Sequence, residues 1–338
     1  MDQVNLKKLA KELNLAVSTV SRALRDSHEI SPKTKERVRE LAEKLGFQPN
    51  PHASSLRQNR SKTIAVIIPE IENNFFSQVI NGIESVTPDK GYHVLIYLSH
   101  EDYNKERDIL QLLRNGRVDG VMISVSNTTT NMDHIEAWRQ NGFPLVIFDR
   151  TCEDVDVPNI MTNDAEMAFK ATEHLVKRGC KRIAFLGMAG NLSISNRRKA
   201  GYLAALEKYR IAAPPKVVEL TAKDYINRDL LKQIFQEQPR PDGIFAAIEK
   251  FAVNTYEVCK ELNLHIPKDV KVISFSNLQA AALFDPALST IIQPAYDIGR
   301  EAANILFKII EKKMLMPYEK KMILPSQLIE RASTAITS

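Results

Sequence analysis

The chain has 338 residues, too many for one ordinary hydrophobic core, so two or three domains are expected. Its 44% apolar content is that of a globular protein, and it contains no run of about 18 apolar residues that would span a membrane. The net charge of +5 sits at one end: residues 1–60 hold 12 Lys/Arg against 7 Asp/Glu, and the remaining 34 of each sign cancel. A small basic head on a neutral body is the footprint of a nucleic-acid binder. The opening MDQVNLKKLAKEL lacks the apolar run and cleavage site of a secretory signal. Cys152, Cys180 and Cys259 are far apart, with no CxxC or His-Cys cluster. A cytoplasmic protein with reduced thiols and no metal or cofactor is expected.

In the head, Leu6, Leu9, Ala10 and Leu13 fall at i, i+3, i+4 and i+7, one face of a helix, with Lys7, Lys8, Lys11 and Glu12 opposite. Asn14 follows, a residue that tolerates the left-handed backbone of a tight turn. A second helix over Val17–Leu24 offers Val20, Ala23 and Leu24 to a core and turns Val17, Ser18, Thr19, Ser21 and Arg22 outward. A third opens with Ser31 as N-cap and Pro32 at its first position, and Gly46 ends it. Helix, short turn, helix and supporting helix is the helix-turn-helix order, whose second helix enters the major groove. There Arg22 can give a bidentate pair to guanine, and the small hydroxyl side chains can reach phosphates or base edges.

Residues 48–62, QPNPHASSLRQNRSK, are polar and small except for Leu56. Alone they are too short to nucleate a helix. A hinge that folds on DNA has a use for Leu56, because an apolar wedge in the minor groove kinks the duplex. The stretch from Val4 to Arg57 resembles the lactose-repressor (LacI/GalR) family. The resemblance is carried by Thr19-Val20-Ser21-Arg22, Ile30-Ser31-Pro32-Lys33-Thr34, Phe47-Gln48-Pro49-Asn50 and Ala53-x-x-Leu56, all at the family's spacing. It implies that Leu6, Val17, Ser18, Thr19, Ser21, Arg22, Asn50, Ala53 and Leu56 contact DNA. It also implies that two subunits read a near-palindromic operator and pair their hinges at its centre. Two positions depart from the pattern: Asn14 stands for the turn glycine, and Ala16 for the serine that caps the recognition helix, at a cost of about 1 kcal/mol of helix stability.

From Thr63 the pattern changes to short apolar runs at 63–69, 92–99, 120–124, 144–150, 182–188, 216–220, 243–247 and 270–276, separated by helical segments. Strands apolar on both faces with helices between them imply parallel sheets, and two sets of about four imply two similar lobes. The fold expected is a small all-α helix-turn-helix domain joined to a two-lobed α/β core. The resemblance extends over this core, through Asn74-Phe75-Phe76, Gly82-Ile83-Glu84, Val118-Asp119-Gly120, Phe148-Asp149-Arg150, Gly201-Tyr202 and Gln293-Pro294. It implies a periplasmic-binding-protein-like body whose chain crosses between lobes three times. The expected boundaries are 1–47 for the head and 48–61 for the hinge. Lobe one takes about 62–160 and 291–321, and lobe two about 161–290 and 322–338. Residues 320–338 read as one strand, KKMILPSQLIER, and a short polar end, with no heptad tail for a tetramer.

Ligands in such sheets bind beyond the C-terminal strand ends, so the cleft between lobes is the expected effector site. Phe75 and Phe76 offer a flat apolar face for a sugar ring or base, with one of the two expected in the core. Asp149 ends a strand and can accept two hydroxyls, or pair with Arg150. Asn74, Arg198 (with Arg197 as rival), Tyr225, Glu249 and Ser276 complete the set, Arg198 and Tyr225 by the family's placing. Sugar-binding members carry Asn-Asp where this chain has Ile248-Glu249, and often an Asp where it has Ser276. That points to a sugar acid, a phosphorylated sugar or a less hydroxylated effector. No GxSxG, P-loop or HExxH is present, and no catalytic residue is assigned. The expected protein is a homodimeric, effector-controlled repressor. The alternative is a regulator governed by a partner protein, with a core that mainly dimerises, and Ile248 favours it.

Overall fold

The computed structural model describes residues 5–24, 26–47, 60–114, 116–150, 155–190, 192–221 and 223–336. Asn50, Ala53, Leu56 and Cys152 lie outside the described residues. The chain divides into two compact units, residues 1–61 and 62–338.

The first unit is three helices: α1 (Leu6–Leu13), α2 (Val17–Leu24) and α3 (Pro32–Lys44). The Asn5 side chain caps α1 by accepting from the Lys8 N–H, and Asn14 closes it at φ 53°. The left-handed turn expected from that asparagine is therefore formed. Ser31 caps α3 through the Thr34 N–H, with Pro32 at the first position. Ala16 contributes only its carbonyl to the start of α2, accepting from Thr19 and Val20. Leu9, Ala10, Val20, Ala23, Val38 and Ala42 form the core, with Leu6 packed at its edge.

In the second unit, β1 (Thr63–Ile68), β2 (His93–Leu98), β3 (Gly120–Ile123), β4 (Leu145–Phe148) and β5 (Asn159–Thr162) alternate with α4 (Asn74–Glu84), α5 (Tyr103–Leu113) and α6 (Asp133–Gln140). After α7 (Asp164–Lys177) come β6 (Ile183–Met188), α8 (Ser193–Lys208), β7 (Lys216–Leu220), α9 (Asp224–Gln236), β8 (Gly243–Ala246), α10 (Glu249–Glu261), β9 (Lys271–Phe275) and β10 (Ser289–Ile292). The chain ends with α11 (Ala295–Ile310), β11 (Lys321–Leu324) and β12 (Gln327–Ile329). Two six-stranded sheets result, in the orders β11-β5-β4-β3-β1-β2 and β12-β10-β9-β8-β6-β7. Every pairing is parallel except β10 with β12. The strands are buried on both faces over β1, β3, β4 and β8 because helices cover each side, which is why they read as unbroken apolar runs.

Three features differ from the reading of the sequence. Strands β5 and β10 are four residues long and half polar, too short and mixed to stand out as apolar runs. The C-terminal segment is two strands, one in each sheet, parted by Pro325, which cannot donate to a ladder. The last crossing therefore falls at 325–326 rather than near 322, and β10 places residues 291 and 292 in the second sheet.

Helix α11 returns to the first sheet and packs on α4 by close backbone approach. A Cβ built on Gly299 would lie 2.0 Å from the Val79 carbonyl oxygen, and one on Gly82 would lie 2.0 Å from that of Tyr296. Backbone cannot yield as a side-chain tip can, so Gly299→Ala is expected to cost about 3 kcal/mol by overpacking. Urea denaturation measures this; a loss under about 0.5 kcal/mol would show that the helices part freely.

Candidate DNA-reading face and interlobe cleft

The outward face of α2 carries Val17, 41% exposed, with Ser18 exposed, Thr19 half-buried and Arg22 exposed. Ser21 is a correction: it is buried, 8% exposed, because the α2 turn that brings Val20 and Ala23 to the core takes Ser21 partly with them. Leu6 is half-buried against the same core. Arg22 Nη1 donates to Glu29 Oε2 at 2.7 Å, both side chains more than half exposed. Asp26 is held by Lys35 and Arg39, whose hydrogen bonds and charges keep its carboxyl below the usual range.

In the second unit four of the effector candidates directly follow the C-terminal ends of strands or open the helices after them. Asn74 and Glu249 are the first residues of α4 and α10, Asp149 follows β4, and Ser276 follows β9. The fold brings three of them together: Asn74 Nδ2 donates to Glu249 Oε1 (3.1 Å), and Ser276 Oγ donates to Glu249 Oε2 (2.9 Å). Asn74 belongs to lobe one and the other two to lobe two, so this contact spans the cleft. Phe75 and Phe76 are 6% and 1% exposed and meet edge to face at 5.3 Å within the core of lobe one. Both are thus core residues, where only one was expected there; α4 buries the stripe they share with Val79 and Ile83. Tyr225 is 65% exposed on α9, and among the described residues no hydrogen bond or ring contact joins it to the other candidates. Ile248 turns inward and packs against the core of lobe two.

The arginines are committed to carboxylates. Arg198, 2% exposed, pairs with Asp164 at 2.8 Å, donates to the Ala247 carbonyl and lies 3.7 Å from the Phe275 ring centroid. Arg197 pairs with the other Asp164 oxygen at 3.0 Å and reaches across to the Asp149 carbonyl at 3.3 Å. Arg150 makes a two-pronged pair with Glu101, at 2.7 and 2.8 Å, and donates to the Val125 carbonyl. Burial alone would push the Glu101 carboxyl up, but Arg150 and the Asn127 N–H bring it below the usual range. Asp149 has no such relief. It sits buried at φ 63°, and burial pushes its carboxyl up despite the charges of Arg150 and Arg198. The ion pair between Asp149 and Arg150 weighed from the sequence is replaced by the one to Glu101.

Asp164, Glu101 and Asn127 join the candidates through these contacts and were not read from the sequence. Asp164 follows β5, and with that strand unread the strand-end rule had nothing to act on. A separate hollow of about 220 Å³ lies away from the cleft on lobe one, lined by Phe143, Leu145, Val157, Ile309 and Leu315 with Lys320 at its rim.

Comparison with known proteins agrees over nearly the whole chain. Residues 5–50 match the family model of bacterial regulatory proteins of the lacI family, and residues 61–329 match that of periplasmic binding proteins and the sugar binding domain of the LacI family. The HTH-type transcriptional regulator RegA of Clostridium saccharobutylicum is 29% identical over 332 residues, covering 98% of this chain and 99% of the relative. The HTH-type transcriptional repressor CytR of Escherichia coli K12 is 28% identical over 330 residues, 97% of this chain and 96% of the relative. Among solved structures, the lac repressor dimer bound to operator and the anti-inducer ONPF shares the fold at a TM-score of 0.86 with 21% identity, over 98% of this chain and 99% of that one. A helix-turn-helix head followed by two sheets of mostly parallel strands, matched over both parts, makes the chain a member of the LacI family of DNA-binding transcriptional regulators.

Proposed function

We propose that the protein is a homodimeric repressor, not an enzyme, that works in the cytoplasm and whose operator affinity is set by a small carbohydrate-type effector, a sugar or sugar acid, held between the lobes. The observation that carries this reading is the cross-lobe triad of Asn74, Glu249 and Ser276, which places polar groups of both lobes within hydrogen-bond reach of one point. A ligand there touches both lobes, and only differential contact with two lobe arrangements can alter DNA affinity. In the head, Val17, Ser18, Thr19 and Arg22 read the major groove, Leu6 with Asn50 contacts the backbone, and Ala53 and Leu56 enter the minor groove at the operator centre. Dimerisation is supported by β2, an edge strand that leaves Leu95 and Ile96 each 42% exposed beside unpaired backbone. A second copy covers such an edge and sets two heads at half-site spacing.

Calorimetry against neutral sugars and sugar acids, with gel shift of Leu56→Ala on a palindromic operator, tests the reading. Heat from one class that also changes operator affinity supports it. Silence across both classes favours instead a core governed by a partner protein, which the inward turn of Ile248 supports by removing a hydroxyl-binding position.

Asp149 gives a prediction with a definite sign. Its folded-state pKa is raised above the ordinary 3.8, so its favourable contribution is complete below that pH and is lost as pH rises through the folded value. Asp149→Asn removes the penalty at neutral pH, and asparagine also accepts a positive φ readily. The variant is expected to melt higher than the parent at neutral pH, the gap closing in acid, while losing effector affinity. A variant that melts lower at neutral pH contradicts the assignment.

A further inference from the structure

The two lobes are joined across the cleft by the chain's own side chains. One turn beyond Asn74 on α4, Gln78 Oε1 accepts from Asn277 Nδ2 at 3.0 Å, and Gln78 Nε2 donates to the Asn277 carbonyl at 3.3 Å. Asn277 is itself fixed by Gln293, whose N–H donates to Asn277 Oδ1 and whose carbonyl accepts from Nδ2. In a second place, Asn127 Nδ2 donates to the Ala189 carbonyl at 2.8 Å, its own N–H being held by Glu101.

The Glu249 contact differs from these in kind. Its two carboxylate oxygens each take a separate donor, the amide of Asn74 from lobe one and the hydroxyl of Ser276 from lobe two. Ser276 Oγ is pinned by also accepting the Leu278 N–H, so the donor is preset rather than induced. Two convergent N–H and O–H donors, one on each jaw, are what a site offers to a carboxylate. Here the carboxylate is tethered to the protein. Placement in the first turn of α10 favours the negative charge there, but the helix end alone does not require a partner on the other lobe.

From this convergence we infer that Glu249 is an internal ligand of the cleft: its carboxylate stands where an effector's anionic group would, and it holds the lobes together without one. The inference rests on the reading of the cleft as the regulatory site and sharpens its ligand class. The occupied donors Asn74 and Ser276 are released only to a molecule that presents its own pair of acceptor oxygens, so a compact carboxylate such as a sugar acid competes with Glu249. A neutral sugar must bind around it.

Small-angle scattering of the full-length, ligand-free protein, with acetate as the probe, tests this. Glu249→Ala is expected to raise the radius of gyration, and millimolar acetate is expected to restore the parent value where chloride at equal ionic strength does not. Glu249→Gln keeps the cleft filled and, with its carbonyl accepting from Asn74 and its amide donating to the Ser276 hydroxyl, is expected to keep the parent radius with no response to acetate. Asn74→Ala opens the cleft as Glu249→Ala does and serves where Glu249→Ala does not fold. An unchanged radius in Glu249→Ala or Asn74→Ala, or equal responses to acetate and chloride, overturns the inference. Rescue by acetate together with calorimetric silence across the sugar panel would leave the internal ligand standing and remove the effector reading instead.

Discussion

Asp164→Ala is expected to destabilise the 62–338 unit by about 3–5 kcal/mol, a large part of the 5–15 kcal/mol typical of a folded domain. Asp164 is 1% exposed and is the shared partner of Arg197 and Arg198. Deleting it leaves the buried Arg198 guanidinium without its paired carboxylate, on the Ala247 carbonyl and the Phe275 face with the Asp149 charge nearby. An uncompensated buried charge is what makes such a deletion costly, more than the loss of the pair itself. The double variant Asp164→Ala/Arg198→Met should therefore recover part of the loss, since it removes both charges. Denaturant unfolding followed by far-ultraviolet circular dichroism reads both. A single-variant loss under about 1 kcal/mol, as for an exposed pair, would show that water reaches the site.

The second large effect is on the DNA-reading head. A bidentate arginine–guanine pair discriminates by about 1–3 kcal/mol, and a dimer makes it twice. Arg22→Ala should weaken specific operator binding by roughly 2–6 kcal/mol, between about 30-fold and 10⁴-fold. Affinity for unrelated duplex should change far less, because that term comes from phosphate contacts. Fluorescence anisotropy on specific and scrambled duplexes separates the two, and equal losses on both would deny Arg22 a base contact. The ion pair to Glu29 must break before Arg22 reaches a base. Exposed pairs are worth about 0–1 kcal/mol and a dimer breaks two, so Glu29→Gln should tighten operator binding by no more than about 30-fold.

The head was the most legible part of the sequence because its signals are local. Asn14, Ser31 and Pro32 act within one turn of themselves, and the helices stand where the apolar spacing set them. Ser21 went astray because hydrophobicity alone decides a binary pattern, and a small polar residue fits beside a core without belonging to it. Long apolar strands were read to within a residue or two, as with β6 and β7. The cleft was less legible. Position at a strand end brought out Asn74, Asp149, Glu249 and Ser276, but pairing is a property of three dimensions. Nothing local tells that Arg150 turns to Glu101 instead of its neighbour Asp149, or that Phe76 is needed to fill lobe one. Tyr225 was placed by resemblance, and an exposed helix position was the result.

The late return of the chain to both sheets has a consequence for synthesis. Strand β11 pairs with β5, and β12 with β10, so each sheet waits for residues beyond 320 to gain its outer strand. Helix α11, which covers the core of lobe one, also emerges only after all of lobe two but its last strand has been translated. The head, by contrast, precedes the body in the chain and needs only its own 40-odd residues to pack. A prematurely terminated product would carry a folded reading head on a body with two bare edges and an uncovered apolar face. Such a body invites aggregation and proteolysis. A chain that stops before residue 320 therefore exposes the backbone edges of β5 and β10 that the complete chain covers.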